Sequence, residues 1–271
     1  MRSKKQTPAR AVRKTGRRHP LATIALIAIG LGLTGGAYAA FNTSTASAAP
    51  AAASQQSVDQ GKKIFMSNCA TCHGLSASGT TNGPSLIGVG AAAVDFQVGT
   101  GRMPMAMNGP QAQQKPVQFT GSDVTALADY VASLAPGPAI PDASLLDTTQ
   151  GNAANGGALF RTNCAMCHNV AGAGGALTEG KFAPALTGVS AQHIYEAMVT
   201  GPQNMPVFND SNISPSGKRD IITYLTYIEK NPSPGGFALG DLGPVAEGLF
   251  LWIFGLGSIV ALTVWITAKS N

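Results

Sequence analysis

The chain has 271 residues, 11% of them charged and 44% apolar, with 18 Lys and Arg against 13 Asp and Glu and a formal net charge of +5. That balance excludes a disordered polyelectrolyte, and the length holds one or two domains. The basic excess sits at one end: Arg2, Lys4, Lys5, Arg10, Arg13, Lys14, Arg17 and Arg18 fall within residues 1–20, which hold no acid, leaving 10 bases against 13 acids elsewhere. Nucleic-acid binding needs bases spread over a folded face, so no nucleic-acid partner is expected.

In chain order, residues 1–20 form a basic tail, held in the cytoplasm by the positive-inside rule. Residues 21–41 carry no charge, and 21 residues rising 1.5 Å each cross a bilayer. This segment is read as an N-terminal transmembrane helix or a signal sequence. Ala37-Tyr38-Ala39 and Ala46-Ser47-Ala48 have the small residues of a signal cleavage site, and Leu21 to Leu33 has the length of a signal core. The long basic region and the spanning length favour retention as an anchor. Arg17-Arg18 raises a twin-arginine export signal, which His19 and Pro20 fit poorly.

Residues 42–57 are an Ala-, Ser- and Thr-rich linker whose composition builds no core. Blocks follow at 58–135 and 150–230, separated by a linker at 136–149 that contains Pro136, Pro138 and Pro141. A further linker, 231–247, holds three Pro and four Gly. Residues 248–268 are a second uncharged run of 21, bounded by Glu247 and Lys269, with Trp252 and Trp265 toward its ends, where a bilayer places such rings. A buried core helix is the competing reading. Length, lack of charge and terminal position favour a C-terminal transmembrane helix. Under either reading of residues 21–41 the tail and the C-terminus are cytoplasmic and residues 42–243 lie outside. The protein is multi-pass in the cell membrane, or single-pass if the N-terminus is cleaved.

The two blocks are copies. All four cysteines lie in Cys69-Ala70-Thr71-Cys72-His73 and Cys164-Ala165-Met166-Cys167-His168. C-x-x-C-H is the attachment sequence for c-type haem. Two thiols three residues apart can each add to one vinyl group of a porphyrin, and the next residue then presents its imidazole to the iron. A zinc site, a thioredoxin-like redox pair or paired disulfides also use such cysteines, but none requires a histidine after both pairs. Two covalently bound haem c groups are therefore expected, on Cys69, Cys72, Cys164 and Cys167, with His73 and His168 as proximal iron ligands.

The repeat extends further. Gly61 and Phe65 precede Cys69 by eight and four residues, as Gly156 and Phe160 precede Cys164, which places each pair on one helix face. Matching phrases begin at Pro84 and Pro184, 11 and 16 residues after the histidines; the extra residues lie within 171–179 and predict a loop insertion. Met103-Pro104 and Met205-Pro206 come next. Each block closes on an amphipathic helix, with Val124, Leu127, Val131 and Leu134 on one stripe and Ile221, Ile222, Leu225 and Ile228 on the other. Tyr130 and Tyr224 match. His193 falls on a predicted helix, Ala191 to Thr200, and is expected at the surface rather than on iron. The polar stretch Gln111 to Asp123 is expected to be solvated.

Each block resembles a class I c-type cytochrome domain over almost its whole length, through G-x-x-x-F-x-x-x-C-x-x-C-H, P-x-L-x-G, M-P and the late aromatic. The resemblance implies an all-α fold of two tandem cytochrome c domains flanked by the terminal apolar segments. It implies that Gly61 meets Tyr130 and Gly156 meets Tyr224, where a residue without Cβ lets helices approach closely. It also implies that the carbonyls of Pro84 and Pro184 accept hydrogen bonds from His73 and His168, and that Met103 and Met205 are the distal iron ligands. Met filling a core is the alternative role at those two positions.

Irons with both axial positions filled point to electron transfer, with no substrate-transforming site. The whole arrangement resembles the dihaem cytochrome c subunit of the actinobacterial quinol–cytochrome c reductase, the cytochrome bc complex. The resemblance implies an electron carrier within a translocating enzyme of the respiratory chain. One haem takes electrons from the Rieske iron–sulfur protein; the other passes them to a haem–copper terminal oxidase. Partners are then cytochrome b, the Rieske subunit, the oxidase and membrane lipid. The alternatives are a membrane-anchored dihaem shuttle outside any quinol-oxidising complex, and a dihaem peroxidase with one displaceable ligand. Alkaline phosphatase fused at Ile140 should be active in a bacterial host; an inactive fusion overturns the topology.

Overall fold

The computed structural model describes residues 20–42, 53–231, 239 and 244–269. The basic tail up to residue 19, the small-residue site at 46–48 and most of the linkers expected at 42–57 and 231–247 lie outside the described residues. Apart from one pair of two-residue strands, the regular secondary structure of the described residues is helical.

Helix α1 (Pro20–Asn42) has large apolar side chains exposed along its length, including Leu21, Ile24, Ile27, Leu31 and Leu33. Its Thr34 hydroxyl donates to the Gly30 carbonyl at 2.7 Å, so this polar group is satisfied within the helix. At the other end, α11 (Pro244–Phe250), a π-type turn (Leu251–Leu256) and α12 (Gly257–Lys269) make one helical run. It starts at Pro244 rather than at residue 248, because proline suits the first turn of a helix and Glu247 suits its positive end. Lys269 lies over the Trp265 ring, 4.6 Å from its centroid. Both terminal helices are long and apolar enough to cross a membrane.

The first haem-motif domain consists of α2 (Gln55–Asn68), the single turn α3 (Ala70–His73), α4 (Gly90–Gly99) and α5 (Gly121–Leu134). Ser54 caps α2, and Thr120 with Asp123 forms a capping box on α5. The backbone of α2 at Gly61 lies directly against the Ala126 carbonyl, with Tyr130 Cβ beside it. One turn further along α2, the Phe65 ring packs on Tyr130 at 5.2 Å between centroids. Val94, Val98, Val124, Leu127 and Val131 complete the core.

The second domain repeats this with α7 (Ala153–Asn163), α8 (Ala165–His168), α9 (Ala191–Thr200) and α10 (Pro215–Lys230). Gly156 lies against the Asp220 carbonyl, the position equivalent to Ala126. The Tyr224 ring lies against Gly157, where an added Cβ would come within 3.1 Å of it. Two successive glycines thus admit the closing helix, Gly156 its backbone and Gly157 the Tyr224 ring. Phe160, Ile194, Met198, Ile221, Ile222 and Leu225 form the core. The 171–179 insertion contains the first strand of a short antiparallel ladder, β1 (Gly175–Ala176) against β2 (Phe182–Ala183).

The proline-rich connector is fastened at both ends. Ala92 N–H donates to the Pro138 carbonyl at 3.1 Å, while Leu145 and Leu146, on the short helix α6 (Ala143–Leu146), pack against the second core. Helices α4 and α9 meet across the seam between the domains.

Alanine is a better helix former than glycine by about 1 kcal/mol, but overpacking costs about 1–3 kcal/mol, and at Gly61 the obstacle is backbone, which cannot rotate away. Gly61→Ala should therefore destabilise the purified holoprotein by about 2 kcal/mol and lower its melting temperature. An unchanged melting temperature would contradict the close crossing.

Candidate haem-binding sites

In both domains the first cysteine ends one helix and begins the next. The Cys69 N–H donates to the Phe65 carbonyl at 2.8 Å, and the Cys69 carbonyl accepts from Cys72 and His73. Cys164 repeats this with Phe160, Cys167 and His168. The C-x-x-C-H segment is thus a single turn, seated at the end of the helix that the Gly and Phe anchor.

The loop after each histidine returns over this turn. Gly79 N–H donates to the His73 carbonyl at 2.8 Å and Leu86 N–H to Ala77 at 2.8 Å; Gly174 donates to His168 at 2.9 Å and Leu186 to Gly172 at 2.8 Å. The loop runs so close that a Cβ on Gly83 would meet the Cys72 carbonyl at 2.8 Å. This brings the Pro84 carbonyl to 2.7 Å from His73 Nδ1, and the Pro184 carbonyl to 3.0 Å from His168 Nδ1. A carbonyl only accepts, so Nδ1 is the donor in both contacts, which leaves Nε2 as the ring nitrogen facing away from the carbonyl. Burial holds His168 below the usual imidazole range, against the opposing pull of the Pro184 carbonyl, and so favours the neutral ring that a metal ion requires.

Cys164, Cys167, His168, Pro184 and Met205 all line one cavity of about 1260 Å³, with Phe160, Ile194, Met198, Phe208, Ile221 and Leu225 as apolar wall. The first domain completes that wall with Phe96, Arg102 and Lys115. In the first domain, Cys69, Leu86 and Met103 pack against the Phe65–Tyr130 core. Neighbouring Met107 is 79% exposed.

These residues fit a haem. The Lys115 ammonium is buried without a hydrogen-bond partner on a cavity wall, and haem carries carboxylates that would satisfy it. Burial first, and then the neighbouring Cys72, pushes the Cys69 thiol up to about 11; burial and Cys167 do the same to Cys164. A redox-active pair has a lowered value instead, and none of the four cysteines is in a disulfide. Two thiols, one neutral imidazole and one thioether are the donor set for covalent attachment and axial ligation.

The Met205 loop is pinned from behind. Lys218 is fully buried, and its Nζ donates to Asp210 Oδ1 at 2.7 Å and to the Ile213 carbonyl at 2.8 Å. Sequence reading missed this clamp. It also missed the seam. His193, expected at the surface, instead faces Asp95 of the first domain, with its Nε2 3.6 Å from Asp95 Oδ2. Gln111 is likewise not simply solvated: its amide donates to and accepts from the Phe182 backbone at 2.8 and 2.9 Å. In the seam, burial and then Asp95 push Glu196 up to about 9. Burial would also raise Asp95, but hydrogen bonds from His193 and Gln192 and the His193 charge outweigh it and hold Asp95 below the usual carboxylate range.

Two family profiles match: "Cytochrome c" over residues 58–135 and "Cytochrome C oxidase, cbb3-type, subunit III" over residues 151–225. Relatives named "Cytochrome bc1 complex cytochrome c subunit" include one from Corynebacterium efficiens, 42% identical over 98% of this chain and 96% of its own length. Another, from Corynebacterium diphtheriae, is 42% identical over 90% of this chain and 93% of its own. A third, from Mycobacterium leprae, is 44% identical over 78% and 75%.

With Met205 as a distal ligand, Met205→Ala should abolish one Met–iron charge-transfer band. It should also lower one potential by on the order of 0.1 V, within the ~0.8 V span that axial ligands command. An unchanged spectrum would remove Met205 from the site.

Proposed function

The chain belongs to the family of cytochrome bc1 complex cytochrome c subunits, and from that premise we propose that it is the dihaem electron carrier of a membrane quinol–cytochrome c reductase. It takes electrons from a Rieske iron–sulfur protein and delivers them to a haem–copper terminal oxidase. Its cytochrome c domains imply covalently bound haem c, and in this reading there are two. The tail and the C-terminus are cytoplasmic, α1 and the α11–α12 run cross the membrane, and both haem domains face outward.

The observation that carries the reading is the duplicated arrangement of C-x-x-C-H turn, proline carbonyl and methionine, with the second set gathered on one cavity. Bound haem supplies a one-electron couple. The chain's own residues do the rest. The cysteines would hold the haem covalently, and the proline carbonyls orient each imidazole and raise its basicity. Met103 and Met205 would be the second ligands to the iron, leaving no position there for a substrate. Burial in apolar walls keeps water away and limits reorganisation. The subunit transforms no substrate; the enzyme is the complex it serves.

Affinity purification of the tagged chain from its native membrane in mild detergent should bring down cytochrome b and Rieske subunits with it. Recovery of a haem-loaded chain without either would favour the membrane-anchored shuttle.

A further inference from the structure

Four polar side chains meet in the seam between the haem domains, and the proposed electron-transfer role uses none of them. Asp95 comes from α4 of the first domain, and Gln192, His193 and Glu196 from α9 of the second. Asp95 and His193 side chains are only 14% and 23% exposed, and Glu196 is 0% exposed. One ligating atom each from Asp95, His193 and Glu196 can be chosen so that all three lie within 4.8 Å of one another.

The surroundings hold these atoms in place. The Gln192 amide donates to Asp95 Oδ2 at 2.8 Å and to Glu196 Oε1 at 3.0 Å, tying one oxygen of each carboxyl group. The His193 ring fits because residue 99 is glycine: a Cβ there would come within 3.2 Å of Nε2. Phe96 meets the same ring edge to face at 6.1 Å, and Arg102 backs Phe96. Glu196 Oε2 is left buried with no hydrogen-bond partner. A buried oxygen without a partner is uncommon, and two carboxyl groups side by side need either a proton or a cation between them.

We infer that Asp95, His193 and Glu196 form a binding site for a divalent transition cation of the zinc class, joining the two haem domains. One imidazole and two carboxylates are a familiar zinc donor set, and the imidazole disfavours magnesium or calcium, which prefer oxygen throughout. A water molecule would complete a tetrahedron. The Gln192 amide plays the orienting part that outer hydrogen bonds play around metal sites. Because the ligands come from both domains, the cation would fix the placement of one haem site against the other. The inference does not depend on which redox partners the chain serves.

The test uses the full-length holoprotein in detergent, stripped with a chelator and dialysed against Zn2+ alone. Metal analysis should find one zinc per chain beyond the haem iron, and its affinity should fall at least tenfold in His193→Gln and in Glu196→Gln. Haem absorption spectra report whether each variant is folded. Zinc K-edge absorption on the unaltered protein needs no variant, and should show one imidazole and oxygen donors at about 2.0–2.2 Å. No zinc beyond background, undiminished binding in folded variants, or an edge spectrum without imidazole would each overturn the site. The first of these would leave a shared proton as what lies between the carboxyl groups.

Discussion

Each haem domain hangs on a place where two helices touch backbone to backbone. At Gly61 the helix leading to the first C-x-x-C-H turn lies against the Ala126 carbonyl, and at Gly156 its counterpart lies against Asp220. Everything on the haem side follows from that approach. It sets Phe65 and Phe160 against the tyrosines of the closing helices, and so fixes the ends of α2 and α7, where the cysteines begin. From there one turn sets the histidine, and a loop with no room for a side chain at Gly83 returns the proline carbonyl to it. Few large side chains are needed for this, which suits domains that rely on a porphyrin for much of their apolar centre.

What the sequence made legible was whatever repeats or follows a local period. The C-x-x-C-H turns, the Gly–Phe spacing, the closing stripes and the helix at Ala191–Thr200 all depend on residues near one another in the chain. The proline carbonyls and the methionines came from resemblance to a family. Pairings across long separations stayed hidden. His193 looks like a surface residue until Asp95, in the other domain, is seen opposite it. Lys218 reads as one more charge on an amphipathic helix, because nothing local says that its ammonium will be spent on Asp210 and the Ile213 carbonyl. Nor does the sequence say that Gly157, next to Gly156, is the glycine whose Cβ position faces the Tyr224 ring.

The seam changes what the two copies are to each other. Phe96, Arg102 and Lys115 of the first domain wall the cavity of the second, so the second site is incomplete without its neighbour. Duplication alone would give two independent carriers. Here the polar contacts between α4 and α9, and between Gln111 and the Phe182 backbone, join the pair into a single unit.

The connector from Pro136 to Thr149 bears on kinetics. A separate carrier must find its partner by diffusion, at a rate proportional to its concentration, whereas a tethered one meets it at an effective concentration in the millimolar range when the linker is short. This connector goes further, since Pro138 is bonded to the first domain and Leu145 and Leu146 are packed into the second. Little translational or rotational freedom is left to lose on each encounter. Transfer between the two sites would then be first order, insensitive to dilution and to the ionic strength that governs the docking of soluble redox proteins.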